Sequence, residues 1–152
     1  MYRSCFLGCG GRARGHAEAY KHVTGGELVA ICDMDEDRLA SFGAHFGVDT
    51  RYTDMVEMIE KEKPDLLHII TPPTIRYSLM KIAADMGVPA VIVEKPIALQ
   101  SEDYIQIRSL LDLDTKFIVN TQLHFHPNNL TLGDAVRGGE IGDIRFVDAS
   151  AR

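Results

Sequence analysis

A glycine-rich stretch near the N-terminus, Gly8-Cys9-Gly10-Gly11-Arg12-Ala13-Arg14-Gly15-His16, constrains the fold of this chain more than any other feature. It follows a short apolar run and precedes a helix-like run, so it lies where a buried strand turns into a helix. In the spacing Gly8-x-Gly10-x-x-Ala13, the first glycine permits a tight turn and the second leaves room for a pyrophosphate, while the small alanine lets helix and strand pack closely. The helix N-terminus would direct free N–H groups towards the phosphates.

The same motif occurs in α/β proteins that bind nothing there, so it needs a second strand that ends in an acid about 20 residues on. The apolar run Glu27–Cys32 supplies that strand and leads into Asp33. A carboxylate at this position would accept hydrogen bonds from the ribose hydroxyls of an adenosine. The alternative is that Asp33 caps the helix predicted to begin near Glu36. Together with the glycine turn, the spacing favours the binding role.

Strand-like and helix-like runs alternate from Arg3 to Gln122. This alternation predicts two mononucleotide-binding halves of an α/β fold, a doubly wound and mostly parallel Rossmann sheet with helices on both faces. We therefore expect residues 1–122 to form a dinucleotide-binding domain. Residues 123–152 would be a crossover and the start of a C-terminal α/β domain that is otherwise absent, with a half-buried strand over Ile144–Ala149.

Composition narrows the classes of function. The chain of 152 residues suits one domain, and its net charge of −6 argues against a nucleic-acid partner. No apolar run reaches membrane-spanning length and no signal peptide is visible, so we expect a cytoplasmic protein without a membrane partner. The three cysteines have neither zinc nor redox spacing, and we expect buried, reduced thiols and no metal site.

Polar or conformationally special residues follow each predicted strand, where a doubly wound sheet binds its ligands. Glu94-Lys95-Pro96 is the most informative of these groups, because a lysine directly after a buried apolar strand is unusual. At an open strand end Lys95 can donate a proton or anchor a charge. The alternative is an exposed Glu–Lys pair of little energetic value. The other groups at strand ends are Gly8–Ala13, Asp33, Thr71-Pro72 and Gln122–His126.

The order of these motifs resembles the glucose–fructose oxidoreductase / inositol dehydrogenase (Gfo/Idh/MocA) family from end to end. The residues that carry the resemblance are Gly8-x-Gly10-x-x-Ala13-x-x-His16, Asp33, Thr71-Pro72, Glu94-Lys95-Pro96, Gln122-x-His124-Phe125-x-Pro127 and Gly139-Glu140-Ile141-Gly142. The resemblance implies a nicotinamide-dependent oxidoreductase, with a dinucleotide and a sugar, cyclitol or related polyol as its small-molecule partners.

The resemblance also assigns roles to residues. Lys95 would assist proton transfer during hydride transfer, Asp33 would hold the adenosine ribose, and Glu94 and Thr71 would line the coenzyme groove. The resemblance further implies a cis peptide between Lys95 and Pro96. The full set of expected coenzyme-binding residues is Gly8, Cys9, Gly10, Gly11, Arg12, Ala13, Asp33, Arg38, Thr71, Pro72, Glu94, Lys95 and Gln122.

The sequence departs from the family pattern at three points. Arg76 stands where many members have a histidine, and His124 stands where an arginine is common before the Phe. The chain also stops in what looks like the first strand of the family's second domain, which supplies the substrate pocket. We therefore expect the 152-residue chain to bind NAD weakly and to lack turnover, with its last strand disordered, folded back on the domain edge or paired in a homodimer.

The sequence also bears on the choice of coenzyme and on two alternative functions. NAD is preferred over NADP because Asp33 would repel a 2′-phosphate, although Arg38 lies one helical turn on. A non-catalytic NAD-binding or sensor module that works with a partner chain is the alternative function, and Lys95 is the residue that such a module does not require. A methyl transferase is disfavoured because Leu7 stands where those enzymes usually carry an acid before the glycines.

Overall fold

The computed structural model describes residues 1–148. Six strands and five helices alternate through residues 2–120: β1 Tyr2–Leu7, α1 Gly11–Tyr20, β2 Gly26–Cys32, α2 Glu36–Phe46, β3 Arg51–Tyr52, α3 Met55–Glu62, β4 Leu66–Ile69, α4 Arg76–Asp85, β5 Ala90–Glu94, α5 Ser101–Ser109 and β6 Lys116–Asn120. Short 3₁₀ turns precede α4 and follow α5. The predicted alternation is confirmed, with element boundaries that differ by a few residues.

All six strands are parallel and lie in the order β3-β2-β1-β4-β5-β6. The order reverses between β1 and β4, the point at which a doubly wound sheet opens a crevice for ligands. Leu7 pairs with both Cys32 and Ile69, and Glu94 pairs with Asn120. The residues that follow these strands therefore meet at one edge of the sheet, as the sequence predicts.

Both faces of the sheet are covered. Phe6 packs into one apolar cluster, with Ile31 and Phe42, whereas its neighbours Cys5 and Leu7 pack into a second cluster on the opposite face. Side chains alternate between the two faces of a strand, so a strand covered on both faces needs a continuous apolar run. This is why the central strands read as largely apolar segments, and it confirms the predicted α/β fold with helices on both faces.

Compact contacts divide the chain into two units, residues 1–120 and 121–152. The predicted domain boundary lies two residues further on, after Gln122. In the second unit, a 3₁₀ turn over Gln122–Phe125 leads into helix α6, Pro127–Arg137. The alternation of strands and helices, predicted to run to Gln122, ends instead with β6 at Asn120.

The predicted strand over Ile144–Ala149 is not present in its described part. Residues 144–148 adopt no regular structure, and Phe146 is 84% exposed; Ala149 lies outside the described residues. A strand is stable only when its backbone groups pair with a neighbour, and no neighbouring strand pairs with this segment within residues 1–148.

Candidate functional site

The glycine turn after β1 has the geometry that its sequence predicts. Gly8 has a φ of +99°, and a Cβ placed on it would lie 2.5 Å from the carbonyl oxygen of Ile70, so this position requires glycine. Gly10 differs, because no atom within 4 Å would meet a Cβ there. The space over Gly10 is therefore open, as a ligand that approaches the backbone closely requires.

The N-terminus of α1 is the second feature of this turn. The N-cap residues of helices α2 and α3 are Asp35 and Asp54, whose side chains accept hydrogen bonds from the N–H groups of Arg38 and Glu57. The N-cap residue of helix α1 is Gly10, and within residues 1–148 no side chain caps its first turn. The Ala13 N–H donates to the Gly10 carbonyl oxygen at 3.0 Å, so the N–H groups of Gly11 and Arg12 and the helix dipole remain for an anion to bind.

Asp33 lies beside this turn, directly after β2. Its Oδ2 accepts a hydrogen bond from the Cys9 N–H at 2.8 Å, and its Oδ1 accepts one from the Asp35 N–H at 3.0 Å. The helix cap is Asp35 and not Asp33, because Asp35 accepts the Arg38 N–H at 2.9 Å. The alternative reading of Asp33 as the cap of α2 is therefore wrong.

Arg38 lies above the two acids that follow β2. Its Nη2 is 2.7 Å from Asp35 Oδ2, and its Nη1 is 3.8 Å from Asp33 Oδ2. The guanidinium is about half exposed. Arg38 is thus engaged with carboxylates on the side of the groove where Asp33 lies.

A cavity of about 660 Å³ runs along this edge of the sheet, between the ends of β1, β2 and β4. Its volume is typical of sites for small ligands and cofactors. Six of the predicted coenzyme-binding residues line it: Gly8, Gly10, Asp33, Arg38, Thr71 and Pro72. The residues present fit a dinucleotide, since the open glycine, the uncapped helix and the carboxylate line or adjoin one groove.

Four other predicted residues adjoin the cavity without lining it. Gly11, Arg12 and Ala13 form the first turn of α1. Cys9 is buried, and it contributes its backbone N–H to Asp33. Burial, together with neighbouring Asp33, raises the pKa of the Cys9 thiol to about 12, so this thiol stays protonated. Gln122 belongs to the second unit, where it begins the 3₁₀ turn.

Glu94, the last residue of β5, is only 4% exposed. Its Oε1 accepts hydrogen bonds from His16 Nε2 at 2.9 Å and from the amide of Asn120, and its Oε2 is 3.3 Å from Arg12 Nε. Burial raises the pKa of this carboxyl, but the hydrogen bonds from His16 and Asn120 and the charge of Arg12 more than offset that effect and hold it below its usual value. Glu94 is therefore an ionised residue inside a cluster of donors.

Two further residues extend this cluster into the protein. His16 Nδ1 is 3.1 Å from His68 Nδ1, and His68 Nε2 is 2.9 Å from Tyr20 Oη. Burial and the neighbouring His16 lower the pKa of His68 to about 3, so His68 is neutral. His68 is thus a hydrogen-bonded histidine of the core.

Sequence reasoning missed this connected cluster, although a signal was present. Arg12, His16 and Tyr20 are spaced four residues apart on α1 and therefore share one helix face. His68 interrupts the apolar run of β4, and Asn120 ends the apolar run of β6. A polar helix face opposite two such interruptions indicates a buried hydrogen-bonded cluster.

Lys95 is exposed and follows β5 directly, and the peptide between Lys95 and Pro96 is cis, as predicted. Arg76 donates hydrogen bonds to the carbonyl oxygens of Thr71, at 2.5 Å, and of Pro96. Its buried guanidinium thereby joins the loops that follow β4 and β5. Thr71 Oγ1 is buried and has no hydrogen-bond partner in the described part of the chain.

Comparisons with known proteins agree with this geometry. Residues 2–120 match the model of the GFO_IDH_MocA oxidoreductase family, described as an NAD-binding Rossmann fold. A D-apiose dehydrogenase from Paraburkholderia graminis is 32% identical over 142 residues, which is 93% of this chain and 38% of that protein. A myo-inositol 2-dehydrogenase from Thermotoga maritima is 31% identical over 138 residues, which is 90% of this chain and 41% of that protein.

Solved structures show the same fold. An oxidoreductase from Agrobacterium radiobacter, crystallised with NAD⁺, L-tartaric acid and magnesium, superposes with a TM-score of 0.86 at 28% identity and covers 93% of this chain and 42% of its own. The chain thus spans about two fifths of the length of the relatives it matches. Among the described residues, no helix is long and apolar enough to cross a membrane.

Proposed function

This chain belongs to the oxidoreductase family with an NAD-binding Rossmann fold, and from that premise we propose that it is the coenzyme-binding part of an NAD-dependent dehydrogenase of a sugar, cyclitol or related polyol. One observation carries the proposal: the open Gly10, the uncapped N-terminus of α1 and the Asp33 carboxylate meet at one edge of the sheet, around one cavity. The named dehydrogenases of D-apiose and myo-inositol support the substrate class.

Each groove residue has a proposed task. The N–H groups at the start of α1, with Arg12, bind the pyrophosphate. Asp33 accepts hydrogen bonds from the adenosine ribose hydroxyls, and its orientation is already fixed by the N–H groups of Cys9 and Asp35. Thr71 and Pro72 line the groove beyond the glycine turn.

Lys95 is the proposed catalytic residue. When bound, the nicotinamide supplies the carbon that accepts or donates a hydride. Lys95 is exposed at the end of β5, so its amine is accessible to a substrate hydroxyl. The amine can take up the proton of that hydroxyl or return it. The substrate pocket belongs to the second domain that the family resemblance implies, so we propose coenzyme binding without turnover for the 152-residue chain. A homodimer through its C-terminal segment and a cytoplasmic location stay predictions.

We further propose that NAD is preferred over NADP. A 2′-phosphate would meet the Asp33 carboxylate, and the nearest cation, Arg38, is already engaged with Asp35 at 2.7 Å. Titration of the chain with NADH and NADPH, followed by nicotinamide fluorescence, tests both parts of the proposal. Tighter binding of NADH supports it. Tighter binding of NADPH contradicts the preference, and binding of neither coenzyme contradicts the function.

An absorbance assay of NADH formation over a panel of sugars and inositols tests the proposal of no turnover. The expected result is no activity in the 152-residue chain. Turnover that Lys95→Met abolishes, while NADH binding is retained, would show that a complete active site forms without a further domain. Loss of NADH binding in Lys95→Met would instead assign Lys95 to coenzyme binding and favour the non-catalytic module.

A further inference from the structure

The buried cluster around Glu94 has a defined direction of hydrogen bonding. An ionised carboxylate accepts hydrogen bonds only, so His16 must carry a proton on Nε2 to donate to Glu94 Oε1. With one proton on His16, its Nδ1 is an acceptor, and His68, 3.1 Å away, must carry its own proton on Nδ1. His68 Nε2 then accepts from the hydroxyl of Tyr20 at 2.9 Å. One tautomer of each histidine satisfies all three bonds.

The two carboxylate oxygens of Glu94 have different partners. Oε1 receives two donors, from His16 and Asn120, and their convergence on this oxygen puts the two nitrogens 3.2 Å apart. Oε2 is left for Arg12, whose Nε lies 3.3 Å away. The two donors on Oε1 thus set the orientation of the carboxylate, and this orientation directs Oε2 towards Arg12.

Arg12 contacts Glu94 through Nε of its guanidinium, at ion-pair distance. Its side chain is 49% exposed. Arg12 is the second residue of α1 and lies in its uncapped first turn. A planar guanidinium that contacts a carboxylate through Nε can present its two terminal nitrogens as a fork, which suits a phosphate.

We propose that His16 is a positioning residue for coenzyme binding, which acts with His68 and Tyr20 to orient Glu94 so that Glu94 holds Arg12 ready for the pyrophosphate. This inference rests on the proposed function. It assigns a part of the affinity for the dinucleotide to a cluster around buried Glu94 that does not line the cavity. The hydrogen bonds from Tyr20 through His68 and His16 to Glu94 form a relay. Without this relay, coenzyme binding must itself order the long side chain of Arg12, which lowers the affinity.

A double-mutant cycle separates this role from a purely structural one. NADH binding is measured by fluorescence titration for the parent chain, His16→Leu, Arg12→Gln and the double variant. We expect His16→Leu to weaken binding about twofold to tenfold. In the Arg12→Gln background, His16→Leu should alter NADH binding by less than about twofold, because the guanidinium that Glu94 positions is absent. Equal losses in both backgrounds would show that His16 only stabilises the fold and would overturn the proposal.

Milder variants keep the test decisive where His16→Leu does not fold. His16→Gln retains an amide donor for Glu94, so it should bind NADH more tightly than His16→Leu. Tyr20→Phe removes one hydroxyl and should weaken binding about twofold, again only when Arg12 is present. Tyr77→Phe is the matched control, because Tyr77 is half-buried against the apolar core and does not belong to the Glu94 cluster. An equal effect of the two tyrosine changes would contradict the relay.

The tautomers give a readout that does not require NADH. Nitrogen NMR of the labelled histidines should show a protonated Nε2 on His16 and a protonated Nδ1 on His68. The opposite tautomers would overturn the relay even if NADH binds. A parent chain that does not bind NADH would overturn the proposed function together with this inference, whereas NADH binding with an additive cycle would overturn this inference alone.

Discussion

Two carboxylates, Asp33 after β2 and Glu94 at the end of β5, lie at the same edge of one sheet but are held in different ways. Backbone N–H groups from Cys9 and Asp35 hold Asp33, which lines the cavity. Side chains from α1 and β6 hold Glu94, which does not line it. A carboxylate held by backbone groups can face a ligand without disturbing the fold, whereas one held by side chains ties several elements together.

The largest expected effect is on stability. Glu94→Leu removes a buried carboxylate and leaves the half-buried donors of His16 and Asn120 without an acceptor, and we expect it to lower the free energy of unfolding by about 3 kcal/mol. Asp33→Ala should cost only about 1 kcal/mol, since water at the groove can bind the freed N–H groups. Urea unfolding followed by circular dichroism measures both. Similar losses would remove the distinction between the two carboxylates.

The second effect is a dependence of stability on pH that belongs to the Glu94 cluster. Between about pH 6.5 and pH 3 the unfolded chain binds a proton at His68, while the folded chain, with a pKa of about 3, does not. The free energy of unfolding therefore falls as the pH falls, by about 2 kcal/mol from this residue between pH 7 and pH 5. His68→Gln should remove this part of the slope.

The control for that measurement is His22→Gln, because His22 is exposed. The free energy of unfolding is measured with urea at pH 7, 6 and 5 and plotted against pH. The parent and His22→Gln should show the same dependence on pH, and His68→Gln should show a weaker one. A slope that His68→Gln leaves unchanged would show that His68 is not held neutral.

The third effect concerns coenzyme choice and belongs to Asp33. Asp33→Ser removes the charge that repels a 2′-phosphate and releases Arg38 on that side, so the ratio of NADPH to NADH affinity should rise about tenfold, or about 1.4 kcal/mol. Adding Arg38→Leu should remove the gain in NADPH binding. Fluorescence titration of both coenzymes measures the ratio, and an unchanged ratio would show that Asp33 does not face the ribose.

The smallest effect separates the two acids that follow β2. Asp35→Ala removes the cap of α2 and should lower the free energy of unfolding by about 1 kcal/mol with little change in NADH affinity. Asp54→Ala, which removes the equivalent cap of α3, is the matched control for stability. A loss of NADH affinity in Asp35→Ala as large as that in Asp33→Ser would assign the ligand contact to both acids.

The sequence by itself determined the fold class and two parts of the groove, the glycine turn after β1 and the acid after β2. Apolar runs covered on both faces, separated by helix-like runs, predict a parallel doubly wound sheet, and the six strands confirm it. The glycine at Gly8 and the acid after β2 were also readable, because a tight turn and a strand end are local properties. The strand predicted over Ile144–Ala149 is wrong over its described residues, since a strand depends on a partner that no local pattern supplies.

Only the tertiary structure decided what Glu94 contacts. Its donors come from His16 and Asn120, which are 78 and 26 residues away in the chain, and His68 is 52 residues from His16. These residues meet because the strand order places β1 and α1 beside β4 and β5, and that order follows from the packing of the whole sheet. Local spacing fixes which face of a helix a side chain occupies, but the element opposite that face is fixed only when the chain folds.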